Sequence, residues 1–225
     1  MGSKRIPGKN IKTLGGHPLI AYAIQSALDS GLFGGVFVSS DSDKTLDIAD
    51  YYGAKRIKRP PEYATDKSPD AEWINHALGI IRLYTCLKFD DGYAIVRPTN
   101  PFRTGDMIKR AFSEWDKESN LKSIYLIQQH PFKAWEAVSD RMYNWFGEDE
   151  HLNPTNTFPK LYYQNGAIEF RCISMDIEFQ PFFTEGYEGF DLNTPEDWIL
   201  AEALIEKGYA KLPRIEKEPY DFTAV

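Results

Sequence analysis

The fold is predicted from a change of pattern within one stretch, Tyr93-Ala-Ile-Val-Arg-Pro-Thr-Asn-Pro-Phe-Arg-Thr104. Its first residues, up to Arg97, form a short apolar run that is typical of a buried strand. A Pro-bounded loop follows and ends at Thr104, which is a suitable N-cap for a helix carrying Met107 and Ile108. A strand, a polar loop and a helix in this order predict one unit of an α/β sheet.

The same alternation continues on both sides of this stretch. Because strands and helices alternate, we predict an α/β fold with a mainly parallel sheet, helices on both faces and ligands at the carboxyl ends of the strands. We expect a single domain over residues 1–225, with an inserted lobe at about 130–160, where the pattern changes to aromatic and Pro-containing sequence. The further strands are predicted at 35–39, 54–59, 123–128 and 167–172, and the helices at 19–31, 41–52, 69–87 and 195–207.

Composition excludes several classes of protein. With 42% hydrophobic and 26% charged residues, the chain is neither a disordered tail nor a fibrous repeat. A net charge of −7 argues against a nucleic-acid partner, and no apolar run reaches the roughly 18–20 residues of a membrane span. The two cysteines, Cys86 and Cys172, do not form a disulfide framework, and residues 1–10 lack the apolar stretch of a signal peptide. We therefore expect a cytoplasmic protein.

The first block with chemical potential is Gly2-Ser-Lys-Arg-Ile-Pro-Gly-Lys-Asn10. Glycine permits close approach of the backbone, and Lys4, Arg5 and Lys9 supply positive charge, so the composition suits a polyphosphate ligand. The spacing is not that of a Walker A loop. A solvated basic arm is the alternative, and the residues alone leave it open.

The second block is acidic and runs from Glu185 to Asp197. Asp191 and Asn193 are two residues apart, so on an extended segment both side chains point the same way and could bind one Mg²⁺ ion through oxygen. The alternative is a helix start, in which Thr194 caps the helix and Pro195 takes the first helical position. Both interpretations can hold together.

Three polar segments between these blocks are candidate ligand loops. Arg59-Pro-Pro61, followed by Thr65–Ser68, could hold a base or ribose. The loop from Arg97 to Thr104 offers two cations at the expected ligand edge, and Tyr163-Gln-Asn-Gly166 could bind a sugar. Ordinary surface turns of this composition are the alternative for each segment.

The start of the predicted lobe carries His130 and Lys133. A single histidine in such a place is more often structural than catalytic, and the chain has no Ser/His/Asp or Cys/His set that predicts a nucleophile. The four histidines and two cysteines are scattered, which argues against a zinc site.

Taken together and in order, these segments resemble the acylneuraminate cytidylyltransferases, also called CMP-sialic acid synthetases. The related Kdo cytidylyltransferases typically have Ser-Arg-Leu-Pro-Gly-Lys-Pro in the first loop, whereas this chain has Lys-Arg-Ile-Pro-Gly-Lys-Asn. That difference favours a nine-carbon 2-keto acid sugar. The resemblance covers nearly the whole chain and rests on five matches: Ser3–Lys12, Pro18–Tyr22, Arg97–Thr104, Gln164–Asn165 and Gly186–Asn193.

The resemblance implies a Rossmann-like nucleotidyltransferase fold and a reaction. The anomeric hydroxyl of a sialic-acid-like nonulosonic acid attacks the α-phosphate of CTP, which gives a CMP-sugar and pyrophosphate. The lobe would be a dimerisation element, and the protein a homodimer. By resemblance, Lys4 and Lys9 hold the triphosphate, Asn10 and Arg59 contact the nucleotide, Arg97, Lys133, Tyr163 and Asn165 line the sugar side, and Asp191 with Asn193 binds Mg²⁺.

Three departures from the family pattern modify these expectations. Family members usually begin with an apolar strand and an Ala-Arg-Gly-Gly-Ser-Lys loop, whereas this sequence starts at Met1-Gly2-Ser3, so we expect a gap in the sheet. Asn193 stands where a second metal-binding Asp is usual, and Arg97 stands where Gln is frequent. The alternatives are a catalytically silent nucleotide- or sugar-binding homologue, and a nucleotidyltransferase for another base or another sugar acid such as Kdo.

Overall fold

The computed structural model describes residues 5–65, 67–85, 92–117, 119–126, 135–138, 141–144, 162–172 and 179–223. Short 3₁₀ helices lie at Lys9–Ile11 and Pro61–Tyr63. The helices are α1 (Leu19–Ser30), α2 (Asp43–Tyr51), α3 (Asp70–Tyr84), α4 (Gly105–Glu114) and α5 (Pro195–Glu206). The strands are β1 (Thr13–Leu14), β2 (His17–Pro18), β3 (Phe37–Ser40), β4 (Lys55–Lys58), β5 (Gly92–Ile95), β6 (Asn120–Leu126), β7 (Trp135–Val138), β8 (Arg141–Asn144), β9 (Tyr162–Cys172) and β10 (Phe179–Phe183).

The prediction of an α/β fold is confirmed, but the sheets are mixed rather than mainly parallel. A four-stranded sheet has the order β10-β6-β9-β5, in which β10 is parallel to β6 and β9 is antiparallel to both β6 and β5. Strands β3 and β4 form a separate parallel pair. Strand β9 follows the lobe and pairs directly with β6, the strand before the lobe. The chain therefore runs back along β6, and the two strands are antiparallel.

Helix α4 packs on the four-stranded sheet and fixes the loop that precedes it. Thr104 caps the helix as predicted, since its side-chain oxygen accepts a hydrogen bond of 3.1 Å from the backbone N–H of Met107. The apolar face of α4 then enters a core shared with β6, β9 and β10. Its buried members include Met107, Ile108, Ala111, Leu121, Ile168, Phe170 and Phe182.

Helix α1 connects the other two parts of the core. Leu19 and Tyr22 pack in a cluster with Trp198 and Leu204 of α5, while its other buried face packs in a cluster with residues of α2. The helix ends at Gly31, which has a left-handed φ of 64° and therefore ends the helix without the strain a side chain would cause. The predicted end of this helix is confirmed.

Two strands of the four-stranded sheet, β9 and β10, differ most from the prediction. Strand β10 is not among the predicted strands. It contains Pro181 and lies at the edge of its sheet, where a missing N–H donor is tolerated. Strand β9 begins at Tyr162 and not near Ala167. The segment around Asn165 is therefore an irregularity inside a strand, and not the turn before one.

Most of the predicted lobe at 130–160 lies outside the described residues. Within it, β7 and β8 pair as antiparallel strands, with Trp135 opposite Asn144 and Val138 opposite Arg141. A dimerisation role for this lobe stays a prediction. Among the helices of the described residues, none has the length and apolar character needed to cross a membrane.

Gly105 tests the packing of α1 against α4, and Gly79 in α3 serves as the comparison. A Cβ atom added at Gly105 would lie 2.8 Å from the backbone carbonyl carbon of Asp29 and 2.9 Å from the backbone nitrogen of Ser30, so Gly105→Ala should destabilise the fold by about 1–3 kcal/mol. Gly79 in α3 has no atom within 4 Å of such a Cβ, so Gly79→Ala should stabilise it by about 0.5–1 kcal/mol. Urea unfolding of both variants checks this, and equal effects would contradict the close approach.

Candidate active site

Lys9 brings the two chemically distinctive blocks of the sequence together. Its ammonium group donates hydrogen bonds to the backbone oxygen of Leu192 at 2.7 Å and to Oδ1 of Asn193 at 3.2 Å. Gly8, with a φ of 63°, precedes the 3₁₀ turn that carries Lys9. The N-terminal basic loop is therefore docked onto the acidic turn, and is not a solvated arm at this residue.

The charge on Lys9 is incompletely balanced. Lys9 is only 9% exposed, and this burial lowers the pKa of its ammonium group. The negative charges of Asp191 and Asp197 raise this pKa, whereas the positive charge of Arg5 lowers it further. Because the charged form is disfavoured here, an anionic ligand next to the ammonium group would stabilise it.

Asp191 has one oxygen in a hydrogen bond and one without a partner. The amide of Asn193 donates to Oδ2 of Asp191 at 2.6 Å, whereas Oδ1 of Asp191 is buried and has no hydrogen-bond partner within the described ranges. Buried polar atoms are rarely left unpaired, so this oxygen fits a cation. Mg²⁺ commonly binds one or two carboxylates and completes its shell with water and substrate phosphates.

Neither polar atom of the Asn193 side chain is directed at the position that a cation on the open Oδ1 atom of Asp191 would take. Its own side-chain oxygen accepts the hydrogen bond from Lys9, and its amide nitrogen is directed at Asp191. In the part of the chain that the structure describes, no group of three or more His, Cys, Asp or Glu side chains could hold a metal. Asp191 thus offers one open carboxylate oxygen for Mg²⁺, and ligation by Asn193 stays a prediction.

The start of α5 fixes the position of this turn. The Thr194 side chain accepts from the backbone N–H of Asp197 at 3.2 Å, and Oδ2 of Asp197 accepts from the backbone N–H groups of Thr194 at 2.7 Å and Asn193 at 2.8 Å. This reciprocal capping box, with Pro195 at the first helical position, is the predicted helix start. The helix start and the candidate metal position coexist.

A polar cavity of about 310 Å³ lies beside Lys9 and brings together three predicted residues, Lys9, Asn10 and Arg59. Arg59 is held by two hydrogen bonds to Ser39, from Nε to Oγ at 3.1 Å and from Nη2 to the backbone oxygen at 2.8 Å. Its guanidinium lies 5.0 Å from the centre of the Trp73 ring. A fixed cation and an exposed asparagine in one polar cavity can bind a nucleotide.

Arg97 lies next to this cavity and is paired with two acids. Its Nη2 atom donates to Asp70 at 2.5 Å and to Glu169 at 3.3 Å, and Asp70 also accepts from the indole N–H of Trp73 at 2.8 Å. Burial lowers the pKa of Arg97, but the two carboxylates outweigh it and raise the pKa overall. Burial raises the pKa of Asp70, but the bonds from Arg97 and Trp73 outweigh it and lower the pKa overall. Asp70 also lines the polar cavity and therefore connects Arg97 to it.

Asn165 is buried inside the protein. Its Nδ2 atom donates to Thr184 at 2.8 Å, and its Oδ1 atom accepts from the backbone N–H of Ala167 at 3.1 Å. The amide of Asn100 donates to the backbone oxygen of Asn165 at 3.1 Å. Asn165 thus joins the loop after β5 to the segment after β10, and its contact with a sugar stays a prediction.

An irregularity in strand pairing positions Asn165. Lys122 of β6 is opposite Glu169, but Ile124 is already opposite Gln164, so β9 carries extra residues between these pairs. Bulges of this kind re-aim side chains and are frequent next to active sites. The hydroxyl of Ser123 accepts from the backbone N–H of Ile168 at 3.0 Å and secures the irregular segment.

Tyr163 is half-exposed and lies within electrostatic reach of the acidic turn. Partial burial raises the pKa of its hydroxyl, and the negative charges of Asp191 and Asp197 raise it further. Lys4 and Lys133, the other two predicted residues, lie outside the described residues.

The expectation of two ligand-binding cations in the loop after β5 is wrong for one of them. Arg103 is fully buried and donates to the backbone oxygens of Ala167 at 2.7 Å and Arg97 at 3.0 Å. Burial lowers the pKa of Arg103 to about 9. Its guanidinium holds the loop against β9 and is not available to a ligand.

Sequence reasoning missed two acids of the site. Glu169 is 1% exposed and carries ion pairs to Arg97 and, at 2.8 Å, to Arg171. A charge between Ile168 and Phe170 in a predicted buried strand was the available signal, because a buried carboxylate needs a cationic partner. Asp70 was not singled out, because its role depends on a contact with Arg97 that no local pattern indicates.

Comparison with known proteins agrees with this geometry. The model of a family described as cytidylyltransferase matches residues 1–128. The chain is 32% identical over 219 residues to the CMP-N,N'-diacetyllegionaminic acid synthase of Legionella pneumophila, a match that covers 91% of this chain and 92% of that protein. It is 42% identical over 169 residues to the N-acylneuraminate cytidylyltransferase of Escherichia coli O18:K1:H7, covering 74% of this chain and 39% of that protein.

A solved structure has the same fold at low sequence identity. The CMP:2-keto-3-deoxy-manno-octonic acid synthetase complexed with CTP superimposes with a TM-score of 0.60 at 13% identity, over 92% of this chain and 95% of that one. The family match spans more than half of the chain, and the relatives match in sequence as well as in fold. The chain belongs to the cytidylyltransferase family, as the motifs predicted.

Proposed function

We propose that this protein transfers CMP from CTP to a nonulosonic acid and releases pyrophosphate. The observation that carries the proposal is the meeting of Lys9, Asn10 and Arg59 in one polar cavity beside Asp191. The names of the curated relatives support the acceptor class, since they include synthases for legionaminic, neuraminic and pseudaminic acids. Kdo is the weaker fit to these names.

The residues of the site serve mainly to position the substrates and neutralise charge. Lys9 supplies the cation for the triphosphate, and Arg59 and Asn10 orient the nucleotide in the polar cavity. The oxygen of the anomeric hydroxyl then forms a bond to the α-phosphorus, its proton passes to solvent water, and the bond from the α-phosphorus to the bridging oxygen breaks to release pyrophosphate. Such a displacement depends on alignment and on stabilising the charge that develops on the phosphate oxygens.

Asp191 would hold Mg²⁺ through its open oxygen, with the remaining ligands supplied by the triphosphate and water. When bound, the ion would polarise the phosphate and lower the pKa of the attacking hydroxyl. Asn193 contributes by holding the other oxygen of Asp191 at 2.6 Å, so that only one carboxylate oxygen is left for the cation. A single carboxylate predicts weaker binding of free Mg²⁺ than of the Mg²⁺–CTP complex.

The sugar side is proposed around Arg97 and Tyr163. Because Asp70 and Glu169 already balance the charge of Arg97, its guanidinium suits a hydroxyl-rich face better than a further carboxylate. Lys4, Lys133 and Asn165 stay candidates by family resemblance, as do the homodimer and the cytoplasmic location.

A second candidate function is binding without catalysis. It is favoured by the single available carboxylate at the metal position and by the engagement of the Asn193 oxygen with Lys9. Such a homologue would bind CTP and the sugar acid but would not join them.

A coupled assay separates these functions. The chain is incubated with CTP, Mg²⁺ and, in turn, N-acetylneuraminic, legionaminic, pseudaminic and 3-deoxy-manno-octulosonic acids, and pyrophosphate release is recorded. We expect release with at least one nine-carbon acid, and less with UTP or GTP in place of CTP. Calorimetric binding of CTP with no release from any acid would support the binding homologue and contradict the proposal.

Substitution of Asp191 tests the metal position. Asp191→Ala should lower Mg²⁺-dependent pyrophosphate release by at least about a hundredfold, because it removes the protein carboxylate with an open oxygen. Glu196→Ala is the matched control, since Glu196 is an exposed acid in the same segment. Circular dichroism verifies that both variants are folded. Equal activities of the two variants would exclude Asp191 from the site.

Substitution of Lys9 tests the triphosphate position. Lys9→Met keeps the length of the side chain and removes the charge, so we expect CTP affinity to fall by about tenfold or more, while cytidine affinity changes much less. Lys207→Met, at an exposed lysine after α5, should change neither affinity. Isothermal calorimetry with both ligands measures the difference. An equal loss for cytidine and CTP would place Lys9 away from the phosphates.

A further inference from the structure

The loop after β5 holds the turn that carries Asp191 at two points. The backbone N–H of Leu192 donates to the backbone oxygen of Thr99 at 2.8 Å. The side-chain amide of Asn100 donates to the backbone oxygen of Phe190 at 3.1 Å. Asp191 lies between the two residues that these bonds hold, so its backbone is restrained on both sides.

Asn100 also holds the segment 163–166, which contains the sugar-side candidates. The same Nδ2 atom of Asn100 donates to the backbone oxygen of Asn165 at 3.1 Å. The turn lies directly against this segment, because a Cβ atom added at Gly189 would clash with the side-chain nitrogen of Asn165. One amide group therefore fixes the turn that carries Asp191 relative to residues 163–166.

The choice of asparagine at position 100 carries a cost for folding. Both partners of the Asn100 amide are carbonyl oxygens, which accept hydrogen bonds and cannot donate them, so only the NH₂ group can face them. Its Oδ1 atom is buried and has no hydrogen-bond partner within the described residues, and the whole residue is 1% exposed. An unpaired buried acceptor is unfavourable for stability. Local conflicts of this kind are typical of residues that serve a site.

The other contacts of the turn do not replace Asn100. Lys9 and Asp197 hold the turn on the carboxyl-terminal side of Asp191. On the amino-terminal side, among the described residues, the next hydrogen bond from a distant segment joins Arg110 to Glu188 at 2.6 Å, three residues before Asp191. The backbone directly before the carboxylate therefore depends on the loop after β5.

We propose that Asn100 is a positioning residue for the metal, which fixes the backbone before Asp191 and thereby the place of its open carboxylate oxygen relative to residues 163–166. The inference rests on the proposed function, in which Asp191 holds Mg²⁺. A carboxylate that is already held in its binding position loses less freedom when the ion binds, so the affinity for the ion is higher. Groups that orient a metal-binding side chain contribute about ten- to a hundredfold to metal affinity.

Metal affinity measured without turnover tests this role. Mn²⁺ replaces Mg²⁺, and its binding to the chain with CTP and no sugar acid is followed by electron paramagnetic resonance, with CTP alone as the blank. The hydroxyl in Asn100→Ser is too close to the backbone to reach both carbonyl oxygens, so the Mn²⁺ dissociation constant should rise by about tenfold or more. Cytidine affinity should change by less than about twofold, because Asn100 does not line the polar cavity.

Asn120→Ser makes the same chemical change away from the turn. The side-chain oxygen of Asn120 is also buried without a partner in the described part of the chain, but this residue lies at the start of β6. The variant should leave Mn²⁺ affinity unchanged. Amide hydrogen exchange of the metal-free chain gives a second readout, since the N–H of Leu192 should exchange about tenfold faster in Asn100→Ser and at the original rate in Asn120→Ser.

The outcomes separate this inference from the proposed function. Unchanged Mn²⁺ affinity in Asn100→Ser, an equal loss in Asn120→Ser, or failure of Asn100→Ser to fold would overturn the positioning role. Weaker Mn²⁺ binding by Asn100→Ser, in a chain that releases no pyrophosphate with any sugar acid, would support the positioning role and contradict the proposed function alone.

Discussion

The hydrogen bonds from Lys9 to Leu192 and Asn193 are the interaction on which the candidate site depends. They join segments that are 183 and 184 residues apart in sequence. The same turn is held from a third side, because the backbone N–H of Leu192 donates to the backbone oxygen of Thr99 at 2.8 Å. The N-terminal loop, the loop after β5 and the start of α5 therefore meet at one place. No spacing pattern in the sequence predicts that the basic N-terminal loop contacts the turn that carries Asp191. The hydrogen bonds of Lys9 make this contact.

Charge balance is the second constraint on this part of the protein. Burying an ion is unfavourable unless a partner compensates its charge. Among the described residues of the site, some ionised groups have such a partner and others lack one. Glu169 has two arginine partners, whereas Arg103 donates to two backbone oxygens while its Nε atom has no partner within the described residues. Lys9 and Asp191 interact electrostatically, and each is incompletely compensated: burial disfavours the charge of Lys9, and Oδ1 of Asp191 has no hydrogen-bond partner within the described residues. A bound triphosphate with its cation would supply what each of them lacks.

The parts of the fold that depend on local signals were predictable from sequence. Thr104, Thr194 and Gly31 act through groups within a few residues, and the structure places each as a cap. Strand pairing depends on distant segments, so the antiparallel β9 was not predicted. Strand β10 was not predicted either, and it contains Pro181, a residue that is disfavoured in all but edge strands. In the site, the motifs indicated Lys9, Asn10, Arg59 and Asp191, whereas Asp70 and Glu169 act through long-range ion pairs that no spacing reveals.

If the triphosphate of CTP lies between Lys9 and Asp191, as we propose, a crystal structure of the chain with CTP and Mg²⁺ is the most direct test. We expect phosphate oxygens within about 3 Å of the Lys9 ammonium nitrogen, the ion on Oδ1 of Asp191, and cytosine in the polar cavity beside Asn10 and Arg59. Density for the triphosphate away from Lys9, or for cytosine away from Asn10 and Arg59, would contradict this proposal.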